Sequence, residues 1–162
     1  MTDRSVWAYK TRAMPANPDG NGDSGAGPER RNLFAEGVSL HQTAADGLTV
    51  RVRRTETYAI VSLNGDLDLR SAGILSDKLT TLEEDGPDVV VLDLRGLRFL
   101  DSTGVALTVR AHARARDAGR RLVIVPGPPA VRKPFELAQL ESVLEFCDDC
   151  DELEEELLAA AD

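Results

Sequence analysis

The sequence predicts an α/β domain with a mixed, mostly parallel sheet of about five strands and helices packed on it. Three observations carry this. Short β-branched runs such as Val89-Val90-Val91-Leu92-Asp93-Leu94 suit buried strands. Between such runs lie stretches with apolar residues at helical spacing and few Gly or Pro. The two kinds alternate, which favours right-handed crossovers between neighbouring parallel strands.

The chain has 162 residues, enough for one ordinary domain and a tail. Residues 1–46 read as a disordered or poorly ordered tail, and 47–162 as the domain. From Met1 to about Arg31, large aliphatics are sparse and Pro, Gly, Asn and Asp are frequent. Such a segment buries too little apolar surface to offset its ordering entropy. Its glycines resemble a phosphate loop only superficially, because no Lys-Ser or Lys-Thr follows them. Trp7 and Tyr9 leave room for a short partner-binding motif there, and Asn32 to Asp46 is transitional.

In the domain, Leu48, Val50 and Val52 alternate with Thr49, Arg51 and Arg53, the period of a half-exposed strand. A turn at Thr55-Glu56-Thr57 leads to a second strand, Tyr58 to Asn64, forming a hairpin. The loop Gly65-Asp66-Leu67-Asp68 follows, then a helix to about Glu84 with Ala72, Leu75, Leu79 and Leu82 on one face. Gly86 and Pro87 end it. The strand Val89–Leu94, a loop Arg95–Asp101 and a helix from Val105 to Ala118 come next. Ala106, Val109 and Ala113 are the expected packing stripe of that helix, and Arg110, Arg114 and Arg116 its solvated face. A fourth strand, Leu122–Val125, precedes the loop Pro126–Pro129. The third helix is expected over Val131 to Leu140, with Pro134 awkward inside it. A last strand, Val143–Phe146, leads to an acidic helix with Leu153, Leu157 and Leu158 inward.

The net charge is −9, which argues against nucleic acid as a partner. No stretch is apolar for long enough to span a bilayer, so no membrane is expected and the location is taken as cytoplasmic. Cys147 and Cys150 form the single C-x-x-C. Asp148 and Asp149 between them disfavour thiolates, and His41 and His112 lie far off without ligand spacing. Two reduced thiols are the expectation, with no metal and no cofactor.

The chemistry concentrates at Asp101-Ser102-Thr103-Gly104, where a strand hands over to a helix. Ser102 or Asp101 is the N-cap. Val105, three residues after Ser102, is not Glu or Gln, so there is no capping box. Thr103 and Gly104 are poor helix formers in a first turn. The turn therefore needs small residues and close backbone approach, and a phosphate is tolerated at such a helix end. If the strands run parallel, Asp66, Asp68 and Asp101 ring Ser102 at the carboxyl edge of the sheet.

Together these residues resemble the STAS-domain family of bacterial anti-sigma factor antagonists. The resemblance rests on Gly65-Asp66-Leu67-Asp68, on Val91-Leu92-Asp93-Leu94 with Leu97-Arg98-Phe99-Leu100, and on Asp101-Ser102-Thr103-Gly104. Pro128-Pro129-Ala130-Val131-Arg132-Lys133 adds a weaker match. It covers about Gly47 to Phe146 and implies a single STAS-like domain without catalytic residues. It also implies that the unmodified protein binds an anti-sigma factor that is also a serine kinase, freeing a sigma factor. The kinase then phosphorylates Ser102 and the complex separates, and a phosphatase acting on phospho-Ser102 resets it. Asp66, Asp68, Asp101, Thr103 and Gly104 become the expected partner-binding residues, and the acidic ring suggests a basic partner. The chain departs from the family at Val105-Ala106, which replaces the usual Leu-Gly, at Pro134, and in its two terminal extensions.

Two other readings stay open. Asp66, Asp68, Asp93 and Asp101 could hold Mg²⁺ in a phosphohydrolase, with Arg70, Arg95 and Arg98 as the available cations. A STAS module could also bind lipid or another small ligand, or serve within a transporter or stressosome-like assembly.

Overall fold

A computed structural model describes residues 39–147 and 150–160. Among them are six strands and four helices: β1 (Ser39–Ala45), β2 (Leu48–Arg54), β3 (Tyr58–Leu67), α1 (Ala72–Asp85), β4 (Val89–Leu100), α2 (Ser102–Asp117), β5 (Arg121–Val125), α3 (Pro129–Leu137), β6 (Glu145–Phe146) and α4 (Cys150–Ala160). The strands form one sheet in the order β1-β2-β3-β4-β5-β6. The pairs β1/β2 and β2/β3 are antiparallel, and the remaining pairs are parallel. The expected mixed, mostly parallel α/β sheet is therefore present.

The sheet has one strand more than expected. Residues 39–45, expected in the poorly ordered tail, pair with β2 along their whole length. Asp46 and Gly47 join the two strands with φ of 53° and 83°. Two consecutive positive φ values define the turn whose twist suits a tight hairpin, and Asp-Gly is among its preferred pairs. The rest of the expected tail lies outside the described residues.

β4 also runs further than its β-branched core implied. Arg95–Leu100, expected as a loop, continues the ladder on β3 through Asn64↔Gly96, Gly65↔Leu97, Asp66↔Phe99 and Leu67↔Leu100. Register shifts between Ser62 and Asn64 and between Gly65 and Asp66 break the strict alternation. An inserted residue rephases which side chains face inward, which hides a strand from a period-2 reading. Gly96 is needed at the first shift, because a Cβ there would lie 2.2 Å from Asn64 Oδ1 and 2.5 Å from the Leu63 carbonyl oxygen.

Helices α1 and α2 cover one face. Ala72, Leu75, Leu79 and Leu82 are all buried, as their spacing predicts. On α2 the buried positions are Gly104, Leu107, Thr108 and Ala111, whereas the expected stripe of Ala106, Val109 and Ala113 is only half-buried. The helix is rotated because Gly104 sets its closest approach to the sheet. In α3, Val131 and Phe135 face inward, and the ring of Phe135 meets Phe146 edge-on at 5.7 Å. Pro134 lies within this helix and withholds one amide, whose i−4 acceptor belongs to the exposed Ala130.

The opposite face of the sheet carries Tyr58, Val91, Val123 and Val125, covered by Leu153 and Leu157 of α4. Leu158 is exposed, not inward as expected. Ion pairs Arg53–Glu154 and Arg121–Glu156 tie the acidic outer side of α4 to the sheet, and Arg121 also holds Glu145. Among the described residues no helix is long and apolar enough to cross a membrane.

Candidate functional site

The site lies where β3 and β4 end side by side. The Asp101 amide donates to the Leu67 carbonyl at 3.2 Å, which fastens the start of α2 to the end of β3. The pairing Asp66↔Phe99 and Leu67↔Leu100 then brings the segments 65–68 and 101–104 together, as the parallel arrangement predicts.

Asp101 is the N-cap. Its backbone is extended, and its carboxylate accepts the Gly104 amide at 3.1 Å. The Val105 amide bonds the Asp101 carbonyl at 3.1 Å, completing the first turn. Ser102 is thereby released from capping. It is the first residue of α2, it is exposed, and its hydroxyl has no hydrogen-bond partner among the described residues. Thr103 beside it is half-buried.

Gly104 is buried and presents no surface for a partner, which corrects its assignment as a contact residue. A Cβ there would lie 2.3 Å from Leu100 Cδ1 and 3.0 Å from Leu67 Cγ and Cδ2. Its role is to let the helix settle on the two strand ends. One turn on, the Thr108 hydroxyl donates to the Gly104 carbonyl at 2.9 Å.

The 65–68 segment is braced from two sides. Gly65, at φ 106°, sits so close to the β1–β2 turn that a Cβ would lie 2.0 Å from the Gly47 carbonyl oxygen. The Asp66 amide donates to that same oxygen at 3.0 Å. On the other side, Asp68 organises the entry to α1. Its carboxylate accepts the Arg70 amide at 2.9 Å and the Ser71 amide at 3.2 Å, and its carbonyl accepts the Ala72 amide at 2.8 Å. The fully buried Ser71 hydroxyl donates to the Asp66 carbonyl at 2.8 Å and accepts the Asp68 amide at 3.0 Å. Burial pushes the Asp68 carboxyl up, but the Ser71 and Arg70 amides and the Arg70 charge outweigh it, so its pKa falls below the ordinary carboxylate value.

The expected acidic ring is neutralised from within. Arg98 reaches Asp66 at 3.6 Å, and Arg70 reaches Asp68 at 3.5 Å. Asp101 is committed to its cap. Asp93 accepts the Arg95 amide at 3.0 Å and forms a bidentate pair with the Arg95 guanidinium at 2.9 and 2.8 Å. Among the described residues no group of three or more His, Cys, Asp or Glu side chains could hold a metal ion. The constellation required by the phosphohydrolase reading is therefore not assembled.

Two exposed apolar side chains at this edge escaped the sequence reading. Leu69 is 76% exposed and Phe99 is 49% exposed. Leu69 lies in the loop between β3 and α1, and Phe99 is paired with Asp66. The available signal was an apolar residue inside the polar string Asp68-Leu69-Arg70, where a structural loop has no use for one. The edge around Ser102 is thus a nearly neutral surface with apolar anchors and a free hydroxyl.

A family model described as "Mlab, STAS domain" matches residues 50–145. Anti-sigma-F factor antagonist RsfB of Mycobacterium tuberculosis is 27% identical over 99 residues, covering 61% of this chain and 80% of that protein. The anti-sigma-B factor antagonist of Bacillus subtilis is 26% identical over 99 residues, covering 61% of this chain and 90% of that protein. The crystal structure of an anti-sigma factor antagonist from Mycobacterium paratuberculosis superposes with a TM-score of 0.54 at 21% identity, covering 76% of this chain and 96% of that one. That likeness speaks for the fold, and the family model for the lineage: the chain belongs to the STAS-domain family.

Proposed function

We propose that this protein is an anti-sigma factor antagonist that works by binding, not by catalysis. Its unmodified Ser102 edge docks an anti-sigma factor and frees a sigma factor. The antagonist names of its relatives in Mycobacterium tuberculosis and Bacillus subtilis support this reading. The observation that carries the switch is local. Asp101 performs the capping, so the exposed Ser102 hydroxyl has no structural task and is accessible to a kinase.

The physics of release follows from the neutral surface. A phosphate adds about −1.5 to −2 charge at neutral pH. The positive end of α2 tolerates it, so the fold survives. A partner packed on Leu69 and Phe99, however, would have to bury a strongly hydrated group while Arg70 and Arg98 of this edge already face Asp68 and Asp66. Such burial costs several kcal/mol. The anti-sigma factor acts as the serine kinase in this scheme, and a separate phosphatase removes the phosphate.

The test is incubation with candidate anti-sigma kinases and ATP, followed by intact-mass and site mapping. Phosphate on Ser102, with loss of the complex, is the expected result. Phosphate on Thr103 or in the N-terminal segment, or a complex that survives modification, refutes the switch. In binding titrations Ser102→Ala should stay bound after ATP is added, while Ser102→Asp should bind weakly.

A further inference from the structure

The helices that leave the candidate site enclose a second feature at their far ends. Between the last turns of α1 and α2 and the first residues of β4 and β5 lies an open pocket of about 140 Å³. Leu79, Leu82, Val90, Ala111, Ala115 and Leu122 form its wall. Leu79, Leu82, Ala111 and Leu122 also belong to the main core, so the pocket is a recess in that core and not a gap between surface loops. Its size is close to the cavity of about 150 Å³ that stays dry and holds benzene in an engineered protein core. A ring-sized apolar occupant would take these apolar walls out of contact with solvent.

Three arginines and Glu83 line the rim, and the arginines are not equivalent. Arg114 is held by Glu83, with Nε at 2.9 and 3.0 Å from the two carboxylate oxygens. Arg121 is held by Glu145 and Glu156. Arg120 has no carboxylate partner among the described residues. Its Nη1 donates to the Leu82 and Glu83 carbonyls at 3.2 and 2.7 Å, capping the end of α1. Its Nε and Nη2 have no partner among the described residues. A guanidinium with spare donors at the mouth of an apolar recess is a receptor for a carboxylate.

We infer that this pocket binds a small apolar carboxylate, with its ring or branched chain in the recess and its anionic head on Arg120. The site is at the opposite end of the sheet from Ser102 and stands independently of the partner-docking function.

Amide-resolved NMR titration of the full chain with benzoate, and with benzene as the neutral probe, tests this. Both probes should give saturable shifts at Val90, Ala111 and Ala115. Arg120→Gln should weaken benzoate about tenfold, the value of a charged hydrogen bond, and leave benzene unchanged. Ala115→Met, which places its side chain in the recess, should abolish both. The assignment is overturned if neither probe shifts these residues in wild type. It is equally overturned if Arg120→Gln binds benzoate as wild type does, or if Ala115→Met binds both probes unchanged.

Discussion

Asp101→Ala and Ser102→Ala, adjacent substitutions in one turn, should differ sharply in their cost to stability. The Asp101 carboxylate accepts the Gly104 amide at 3.1 Å at the positive end of α2. Losing a cap of this kind costs about 1 kcal/mol, within a range of roughly 0.5–2. The carboxylate's interaction with the helix end adds about 0.3–1 kcal/mol. Asp101→Ala should therefore lose about 1–2 kcal/mol. Ser102 is exposed and unbonded, so Ser102→Ala should stay within about 0.5 kcal/mol of wild type. With a urea m-value of about 2 kcal/mol/M, Asp101→Ala shifts the unfolding midpoint by roughly 0.5–1 M and Ser102→Ala hardly moves it. Asp101→Asn separates the two contributions, because Asn caps nearly as well without the charge. If Ser102→Ala falls as far as Asp101→Ala, or if Asp101→Ala is silent, Ser102 is the structural cap and the claim that its hydroxyl is free for modification fails.

Other substitutions probe the frame around this turn. Gly104→Val should cost about 2–3 kcal/mol by overpacking against Leu67 and Leu100, measurable as a lowered Tm. Leu69→Ser and Phe99→Ser should leave stability within about 0.5 kcal/mol, since both are exposed, yet weaken anti-sigma factor binding by more than tenfold in titrations. The Asp68 carboxyl titrates below its ordinary value in the folded chain, so it supports stability above the usual carboxylate range and ceases to as pH falls through its depressed pKa. Asp68→Asn should accordingly be less stable than wild type near neutral pH and converge with it in acid, seen by denaturant midpoints across pH.

The parts of this molecule that follow from local rules were legible in the sequence. The α1 stripe, the β2–β3 hairpin and the handover at Asp101–Gly104 need only neighbours in the chain. What was missed needed partners from elsewhere. β1 has an unremarkable composition, and only its Asp46-Gly47 turn announces the pairing. The last part of β4 is a strand because β3 lies beside it, and two register shifts erase its alternation. The rotation of α2 follows from one contact, Gly104 on Leu67 and Leu100, which no periodicity within the helix reveals. At the site the carboxylates were identified, but their neutralisation depends on where Arg70 and Arg98 reach, a tertiary matter. The sequence therefore suggested an acidic surface where the fold presents a nearly neutral one with two apolar anchors.

The ladder between β4 and β5 ends at Asp93↔Val125, while β4 continues to Leu100. From Gly96 onward it is bonded in the sheet to β3 alone. Beneath Ser102 the sheet thins to a two-stranded ribbon of Asp66–Leu67 and Phe99–Leu100, since Asn64 and Gly65 are still paired with β2, and this ribbon has fewer bonds to break than the centre. Amides there should exchange with solvent deuterium through a local opening that leaves β4 near Val91 and Leu92 protected. Partner docking would then register as slowed exchange confined to the ribbon, so that the occupancy of this edge can be followed on the intact protein without any label.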